Sequence, residues 1–448
     1  MISYNDESIF VANHTYGTWR PQKGWKKPLY ITKAEGVYFY DDDNNKYMDL
    51  SSQLMCSNLG HGNKKVAEAI CEQAKKIPYI APSYICDITV KTIESLLTVV
   101  PAELDQFFFS PSGTEANEAA ILMLRQYMSP KYKIISRYRS YHGATTGGIN
   151  LTGDPRRWFI EPANKIPGVI FAPDAYCYRC SFGMEYPNCG IACAKYIDYM
   201  IKEEGNVAAI FVEPVVGTNG IIVPPDGYLQ LLRKIADENG VLLIVDEVMS
   251  GWFRTGKWFA FQHWDIIPDI ITTAKGCSSA YTPVGITITR SEIKDFFNDR
   301  FFPHGHTYSG HPLTLSAIPA TIDEYIKLEK SGIIKRVSIY LEKKLKELKT
   351  RHVSIGDVRG IGHFWAIEIV KNRKTKEPFN TKEDKALMKP LMTDKIAGEA
   401  FKLGVYINTW YNHFTIAPPL IITEKEIDKA VSVLDEVLKI ADNNVKGG

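Results

Sequence analysis

The residues from 241 to 276, VLLIVDEVMSGWFRTGKWFAFQHWDIIPDIITTAKG, constrain the fold more than any other stretch of this chain. The stretch opens with an apolar run typical of a fully buried strand, and this run ends at two acids, Asp246 and Glu247. A second apolar run, Ile270 to Thr273, leads directly toward Lys275. Buried charges are costly unless they are paired or bind a ligand. We therefore expect Asp246 and Lys275 to face the crevice at the carboxyl ends of parallel strands, with a cofactor between them.

Strand-like and helix-like segments alternate from about Lys64 onward, which predicts a mostly parallel sheet covered by helices on both faces. Amphipathic helices and shorter strands follow a break near Gly310 and Pro312. We predict an α/β fold with a large domain, residues 63–312, built on a mostly parallel seven-stranded sheet, and a smaller α+β domain, residues 313–448. Residues 1–62 are expected to pack with the small domain. The predicted strands of the large sheet are QFFFS, KIISRY, GVIFA, AAIFVEPV, VLLIVDEV, DIITTA and VGITITR.

Composition favours chemistry on small molecules. The 53 basic and 51 acidic side chains nearly cancel, so no global charge argues for binding to nucleic acid or to an anionic membrane. No signal peptide is recognisable at the start, and no window approaches the roughly 18 apolar residues of a membrane span, so we expect a cytoplasmic protein. Eight cysteines in 448 residues do not form the framework of a disulfide-rich domain.

The segment SPSGTEAN, residues 110–117, follows a strand and opens a helix, which is the arrangement of a phosphate-binding loop. Backbone N–H groups at a helix start bind phosphate, and Gly113 permits close approach while Thr114 offers a hydroxyl. An ordinary capped helix is the alternative interpretation of this segment alone.

Three further polar residues follow predicted strands. Tyr141 and His142 follow one of them, and a tyrosine ring there can stack on a flat heterocycle, although such a pair is more often a surface turn. Glu213 ends another strand in the same way that Asp246 ends its own, with a structural ion pair as the alternative. Burial of Lys275 would lower its pKa and supply the neutral amine that forms Schiff bases. An acid, an amine, a phosphate loop and an aromatic ring together are the requirements of pyridoxal 5′-phosphate.

The order of eight motifs strongly resembles the class III aminotransferases, the ω-aminotransferase group of fold-type-I pyridoxal-phosphate enzymes. The resemblance runs from about Trp19 to Leu420, which is nearly the whole chain. The motifs are SGTEANEA, YHG, VEPVVG, DEV, GWFRTG, TTAKG, GHTYSGHP and APPL.

By that resemblance, Lys275 forms the Schiff base with the cofactor and Asp246 pairs with its pyridine nitrogen. Tyr141 and Val248 would sandwich the ring, with His142 beside it. These roles agree with those inferred from the residues themselves.

The resemblance also implies that Gly113 and Thr114 hold the cofactor phosphate, and that Thr307 reaches the phosphate of a neighbouring subunit. Active sites in the family form across a dimer interface, so a homodimer or higher homo-oligomer is expected. Glu213 would lie near the ring hydroxyl and can act as a switch for a substrate-binding arginine.

The implied reaction moves an amino group between an amine or ω-amino acid and an α-keto acid such as pyruvate or 2-oxoglutarate, by ping-pong kinetics through Lys275. Racemases, aminomutases and a decarboxylase share the scaffold, so these reactions are the alternatives. A non-catalytic metal-binding or regulatory relative is a further alternative.

One departure from the family pattern concerns substrate binding. Many family members that accept α-keto acids carry an arginine shortly before the APPL motif, but this chain reads YINTWYNH at residues 406–413. The usual carboxylate-binding group is therefore missing from its expected place. Arg20, in the amino-terminal segment that approaches the site in the family, is the candidate substitute, and its neighbour Trp19 is the aromatic residue expected near the substrate.

A second departure is a group of four cysteines, Cys177, Cys180, Cys189 and Cys193, in a loop between strands. Their spacing resembles a zinc or iron–sulfur site, with free thiols or a local disulfide as alternatives. We assign no metal to them.

Overall fold

The computed structural model describes residues 6–161 and 165–445. Residues 1–5 and 446–448, which belong to the predicted amino-terminal segment and small domain, lie outside the described residues. The strands are β1 (Ile31–Glu35), β2 (Tyr38–Asp41), β3 (Lys46–Asp49), β4 (Gln106–Ser110), β5 (Lys133–Arg137), β6 (Val169–Ala172), β7 (Val207–Val212), β8 (Leu242–Asp246), β9 (Ile270–Thr273), β10 (Gly285–Thr289), β11 (Ile355–Ile361), β12 (Phe364–Asn372), β13 (Glu377–Pro378), β14 (Val405–Tyr406), β15 (Asn408–Thr409) and β16 (His413–Ile416).

The α-helices cover these strands and connect many of them. They are α1 (Glu7–His14), α2 (Ser52–Met55), α3 (Lys64–Lys76), α4 (Asp87–Leu97), α5 (Gly113–Tyr127), α6 (Thr146–Leu151), α7 (Ala192–Glu204), α8 (Tyr228–Asn239), α9 (Ser291–Asp295), α10 (Pro312–Leu315), α11 (Ala317–Lys330), α12 (Ile333–Arg351), α13 (Lys382–Ala386), α14 (Met392–Lys402) and α15 (Glu424–Asp442). Among the described helices, none has the length and apolar character needed to cross a membrane.

The central sheet has seven strands in the order β4-β10-β9-β8-β7-β5-β6, and each predicted strand of the large sheet is one of them. Strands β9, β8, β7, β5 and β6 run parallel, whereas β10 runs antiparallel to both of its neighbours. The prediction of a mostly parallel seven-stranded sheet is confirmed. The sequence did not predict the reversal of β10, which follows β9 after a connection that holds no α-helix. Parallel neighbours need a longer crossover, usually through a helix.

Burial explains why the strands read as continuous apolar runs. All six residues of β7 are buried, and so are four of the five residues of β8. These two strands lie inside the sheet and are covered on both faces, so apolar side chains are needed on both sides.

Two smaller sheets complete the fold. One has the order β1-β2-β3-β14, in which β2 and β3 form an antiparallel hairpin and β3 pairs in parallel with β14. The other has the order β11-β12-β16-β15, with β13 paired to β12. The amino-terminal strands thus share a sheet with a strand from the carboxyl-terminal part, while the domain boundaries stay a prediction.

Candidate active site

Four neighbouring parallel strands, β9, β8, β7 and β5, end with polar residues at one edge of the central sheet. Lys275 follows β9, Asp246 is the last residue of β8, Glu213 follows β7, and Tyr141 lies just beyond β5. Because the strands are parallel, their carboxyl ends lie together, and open α/β sheets bind ligands at this edge.

A cavity of about 420 Å³ opens at this edge of the sheet. Of the residues predicted from the sequence to form the site, those that line the cavity are Gly113, Thr114, Tyr141, His142, Glu213, Asp246, Val248 and Lys275. Trp19, Arg20 and Thr307 are not among its lining residues.

Asp246 is 3% exposed, and both of its carboxylate oxygens make polar contacts. Its Oδ2 accepts a hydrogen bond from Asn117 Nδ2 at 2.9 Å and lies 2.8 Å from His142 Nδ1, and its Oδ1 accepts from the backbone N–H of Val248 at 2.9 Å. These contacts fix the carboxylate at the strand end. The sequence analysis missed Asn117, although this asparagine lies in the first turns of the helix that follows the phosphate-binding loop.

Lys275 is half-buried at the cavity wall, and removal from water lowers its pKa below the ordinary lysine value. The negative charges of Asp246 and Glu213 oppose that shift. Lys275 also has a φ of 45°, in the left-handed region, and such backbone strain in a non-glycine residue is concentrated at functional sites. The arrangement provides an amine that is more readily neutral than an exposed lysine.

Glu213 is 3% exposed and accepts two backbone hydrogen bonds. Tyr141 donates to Oε1 at 3.0 Å and Gly217 donates to Oε2 at 2.7 Å. Burial raises the pKa of Glu213 to about 7, and the negative charge of Asp246 adds to the increase. The carboxyl group therefore connects two loops at the cavity wall.

The predicted phosphate-binding loop sits at the start of α5, a helix of 15 residues. Ser112 caps the helix by accepting from the backbone N–H of Glu115, as expected for an N-cap serine. A Cβ atom added at Gly113 would lie 3.0 Å from the Val248 side chain and 3.1 Å from that of Ala274, so a side chain here would crowd this end of the cavity. Thr114 Oγ1 accepts from the backbone N–H of Ala144 at 3.1 Å. A helix N-terminus with open backbone N–H groups suits an anion.

The remaining predicted residues lie outside the cavity. Trp19 is 61% exposed, and its ring lies edge-on to the Tyr141 ring with 6.1 Å between centroids. Arg20 is exposed, with its guanidinium 5.3 Å from the ring centroid of Trp25. Thr307 is also exposed, and its carbonyl oxygen accepts from Tyr79.

Sequence reasoning missed Arg156, which lies against three aromatic rings beside the cavity. Its guanidinium carbon is 3.8 Å from the ring centroid of Tyr141, 4.9 Å from that of Trp410 and 5.2 Å from that of Trp19. Trp410 belongs to the segment in which many relatives carry their arginine. The motif DPRRW contains two adjacent arginines, and nothing in it distinguishes Arg156 from Arg157.

The sequence profile of the class III aminotransferases matches residues 21–438. The chain belongs to this family. A putrescine–pyruvate aminotransferase of Pseudomonas aeruginosa is 33% identical over 91% of this chain and 90% of its own. A leucine/methionine racemase of Thermococcus litoralis is 34% identical over 92% of this chain and 90% of its own.

Among solved structures, a taurine:2-oxoglutarate aminotransferase of Bifidobacterium kashiwanohense, in complex with pyridoxal phosphate and glutamate, superposes with a TM-score of 0.93. It is 34% identical, and the match covers 100% of both chains. The protein is thus a pyridoxal-phosphate-dependent aminotransferase of fold type I.

The residues at the cavity fit this cofactor. A buried acid, a half-buried lysine of lowered pKa and the start of a long helix line the same cavity. They provide a group for the pyridine nitrogen, one for the aldehyde and one for the phosphate. Gly113 leaves room where any side chain would meet Val248.

No arrangement of three or more histidine, cysteine, aspartate or glutamate side chains suited to a metal ion occurs within residues 6–161 and 165–445. The four loop cysteines, Cys177, Cys180, Cys189 and Cys193, all carry free thiols.

Proposed function

We propose that this aminotransferase takes an amine or ω-amino acid that bears an acidic group as donor and an α-keto acid as acceptor, and that Arg156 binds the acidic group of each. The observation that carries this proposal is the guanidinium of Arg156, packed on Tyr141 at the edge of the cavity. Guanidinium groups suit carboxylates and sulfonates because they donate several hydrogen bonds in one plane.

The free edge of Arg156 supports this role. Asp154 accepts hydrogen bonds from Nε and Nη2 of Arg156, whereas Nη1 has no acceptor among the described residues. The side chain keeps 17% of its surface exposed. Two similar aminotransferases are named for different donors, putrescine in one and taurine in the other. A cation at this position favours an acidic donor over a diamine.

For the cofactor we propose the following contacts. Gly113, Thr114 and the start of α5 bind the phosphate, and Asp246 keeps the proton on the pyridine nitrogen. Tyr141 and Val248 flank the ring. Pyridoxal phosphate, when bound, supplies the aldehyde that receives the amino group and a ring that accepts electrons.

The proposed catalytic residue is Lys275. Its amine would hold the cofactor between turnovers and, once freed by the donor, would take the proton from the donor carbon that bears the amino group and deliver it to the cofactor side. Burial supports this role because it lowers the pKa of the amine. Glu213 lies near the ring hydroxyl in this proposal, and His142 orients Asp246 through their 2.8 Å contact.

We also propose a homodimer, in which Thr307 reaches the phosphate of the neighbouring subunit. Thr307 lies in a segment with large exposed apolar side chains, since Phe301 is 87% and Tyr308 59% exposed. Buried Nε2 atoms of His304 and His306, in the same segment, have no hydrogen-bond partner among the described residues. A second copy of the chain would cover such a surface. We further propose a cytoplasmic enzyme whose residues 63–312 form the cofactor-binding domain.

Racemisation is the second candidate, because one relative of 34% identity is a racemase. The test is a panel of donors, including taurine, β-alanine, putrescine and leucine, each with pyruvate and with 2-oxoglutarate. We expect amino acid formation from the keto acid with acidic donors. Inversion of leucine without a keto acid, and no amino transfer from any donor, would favour racemisation instead.

A further inference from the structure

Arg156 is held in place by a buried carboxylate. Asp154 is 2% exposed and accepts from Nε of Arg156 at 2.9 Å and from Nη2, and it also accepts from the backbone N–H of Arg156 at 2.9 Å. With rings of Tyr141 and Trp410 also in contact, the guanidinium has little freedom to turn. Its position therefore depends on the position of Asp154.

Asp154 is in turn held by Asn219, whose side-chain hydrogen bonds within the described part of the chain go to Asp154 and Ser140. Asn219 is 3% exposed, and its Nδ2 donates to Oδ2 of Asp154 at 3.1 Å and to the carbonyl oxygen of Ser140 at 3.1 Å. Ser140 immediately precedes Tyr141 in the chain. One amide group thus connects the carboxylate that holds Arg156 with the segment that carries the ring under it.

The loop that carries Asn219 is tied down at several points. Val216 and Ile222 exchange two backbone hydrogen bonds and close the loop at its base. Arg359, from β11, donates to the carbonyl oxygen of Gly220 at 2.6 Å, and His413 Nε2, from β16, lies 3.2 Å from that of Thr218. These contacts anchor the loop to a second sheet, so Asn219 approaches Asp154 from a fixed support.

We propose that Asn219 is a positioning residue for substrate recognition: through Asp154 it fixes Arg156 as a stationary binding group for the acidic end of donor and acceptor alike. The inference rests on the proposed function of Arg156. The enzyme should therefore prefer a donor and an acceptor that each carry a carboxylate or sulfonate. A fixed guanidinium does not withdraw to make room for an apolar or cationic tail.

The inference is tested by binding, without turnover. Glutarate, a dicarboxylate with no amino or keto group, is titrated into the cofactor-loaded enzyme, and tryptophan fluorescence reports binding because Trp19 and Trp410 lie beside Arg156. We expect Asn219→Ala to weaken glutarate binding by roughly tenfold, the scale of one hydrogen bond that supports a charged group. Arg156→Ala is expected to weaken it at least as much.

The decisive comparison is the double variant. If Asn219 acts through Arg156, Asn219→Ala combined with Arg156→Ala binds glutarate no more weakly than Arg156→Ala alone. Additive losses, or an Asn219→Ala variant within about twofold of the parent, would overturn the proposal. A merely structural role would lower stability without this dependence on Arg156.

Asn239→Ala is the matched control, since Asn239 Nδ2 donates to Asp198 and to the carbonyl oxygen of Ile235 in a similar way, on α8. It should bind glutarate like the parent. Should Asn219→Ala fail to fold, Asn219→Ser carries the same test with a smaller expected loss, because it keeps a donor group. An enzyme that binds glutarate through Arg156 but transfers no amino group would count against the proposed function and leave this inference standing.

Discussion

The guanidinium carbon of Arg156 lies 3.8 Å from the ring centroid of Tyr141. The tyrosine is the residue expected to cover the cofactor ring, and the arginine packs on that tyrosine. Their contact places an anion-binding group directly beside the chemistry. Cation–π contacts of this kind are worth about 0.5–2 kcal/mol, so the pair also stabilises its own arrangement.

Arg156→Ala should raise KM for acidic substrates by about 10- to 100-fold, because a charge-assisted hydrogen bond contributes about 1.5–3 kcal/mol. Steady-state kinetics with β-alanine and 2-oxoglutarate measure this change. The rate with 1-phenylethylamine, expected to be a poor donor because it has no acid group, should not fall in the variant. Arg157→Ala is the control, since Arg157 pairs with Glu161 and packs on Phe171. Equal losses in both variants, or an equal effect on both donors, would contradict the role of Arg156.

Lys275→Ala should abolish transamination and the covalent attachment of the cofactor. Borohydride reduction followed by mass spectrometry of the intact chain measures the attachment. Lys257→Ala is a suitable control, because Lys257 is exposed and donates to the carbonyl oxygen of Gln262. A cofactor adduct that persists in Lys275→Ala would show that another amine is the attachment point.

Asp246→Asn should lower kcat by at least about a hundredfold, because an amide cannot hold the pyridine nitrogen in its protonated form as a carboxylate does. The amide also has to replace the contacts with Asn117 and His142. Single-turnover kinetics with β-alanine measure the rate of the half-reaction with the donor. Equilibrium dialysis of the cofactor separates weak cofactor binding from slow chemistry. Near-parental turnover with full cofactor occupancy would exclude Asp246 from this role.

Glu247→Gln should make stability less dependent on pH. Glu247 is fully buried, accepts from Ser250 Oγ and from the backbone N–H of Phe261, and burial raises its pKa to about 7. A carboxyl with a raised folded-state pKa stabilises the fold fully below its unfolded pKa of 4.5, and this contribution is lost as pH rises toward 7.

Ionisation of Glu247 at pH 8 therefore costs the fold about 3 kcal/mol relative to pH below 4.5, and Gln removes that cost. Urea unfolding at pH 5 and pH 8 measures the difference in the free energy of unfolding. The parent should lose more stability over this interval than the variant. Parallel losses would mean that Glu247 titrates at an ordinary pKa.

Thr307→Asp should weaken cofactor binding by placing a carboxylate opposite the cofactor phosphate. Mixing subunits of two variants should reveal which subunit binds that phosphate. In a mixed dimer of Thr307→Asp and Lys275→Ala subunits, the site with an intact Lys275 faces the unaltered Thr307 of the other subunit. Mixed preparations should therefore regain activity that neither variant shows alone. No recovery after subunit exchange, verified by differently tagged chains, would place Thr307 in its own subunit's site.

The sequence predicted the central sheet well, because fully buried parallel strands need apolar residues on both faces and therefore read as continuous runs. It also located Asp246 and Lys275, since a charged residue directly after such a run needs a partner or a ligand. It did not predict that β10 runs antiparallel, because strand direction depends on the connection in space and leaves no mark on the strand's own residues.

The substrate side of the site shows more clearly what the sequence could not predict. Arg156 and Arg157 are adjacent and chemically identical, yet one packs on Tyr141 and Trp410 while the other pairs with Glu161. Residues more than 250 positions apart meet there, and no local pattern encodes such a meeting.

By itself, then, the sequence determined the sheet, the acid and lysine at two strand ends, and through its ordered motifs the cofactor and the family. These features are local: each follows from a run of residues and the group that ends it. The tertiary structure decided which arginine packs on Tyr141 and what holds it, because Asn219 meets Asp154 and Arg156 only when two loops fold onto one edge of the sheet.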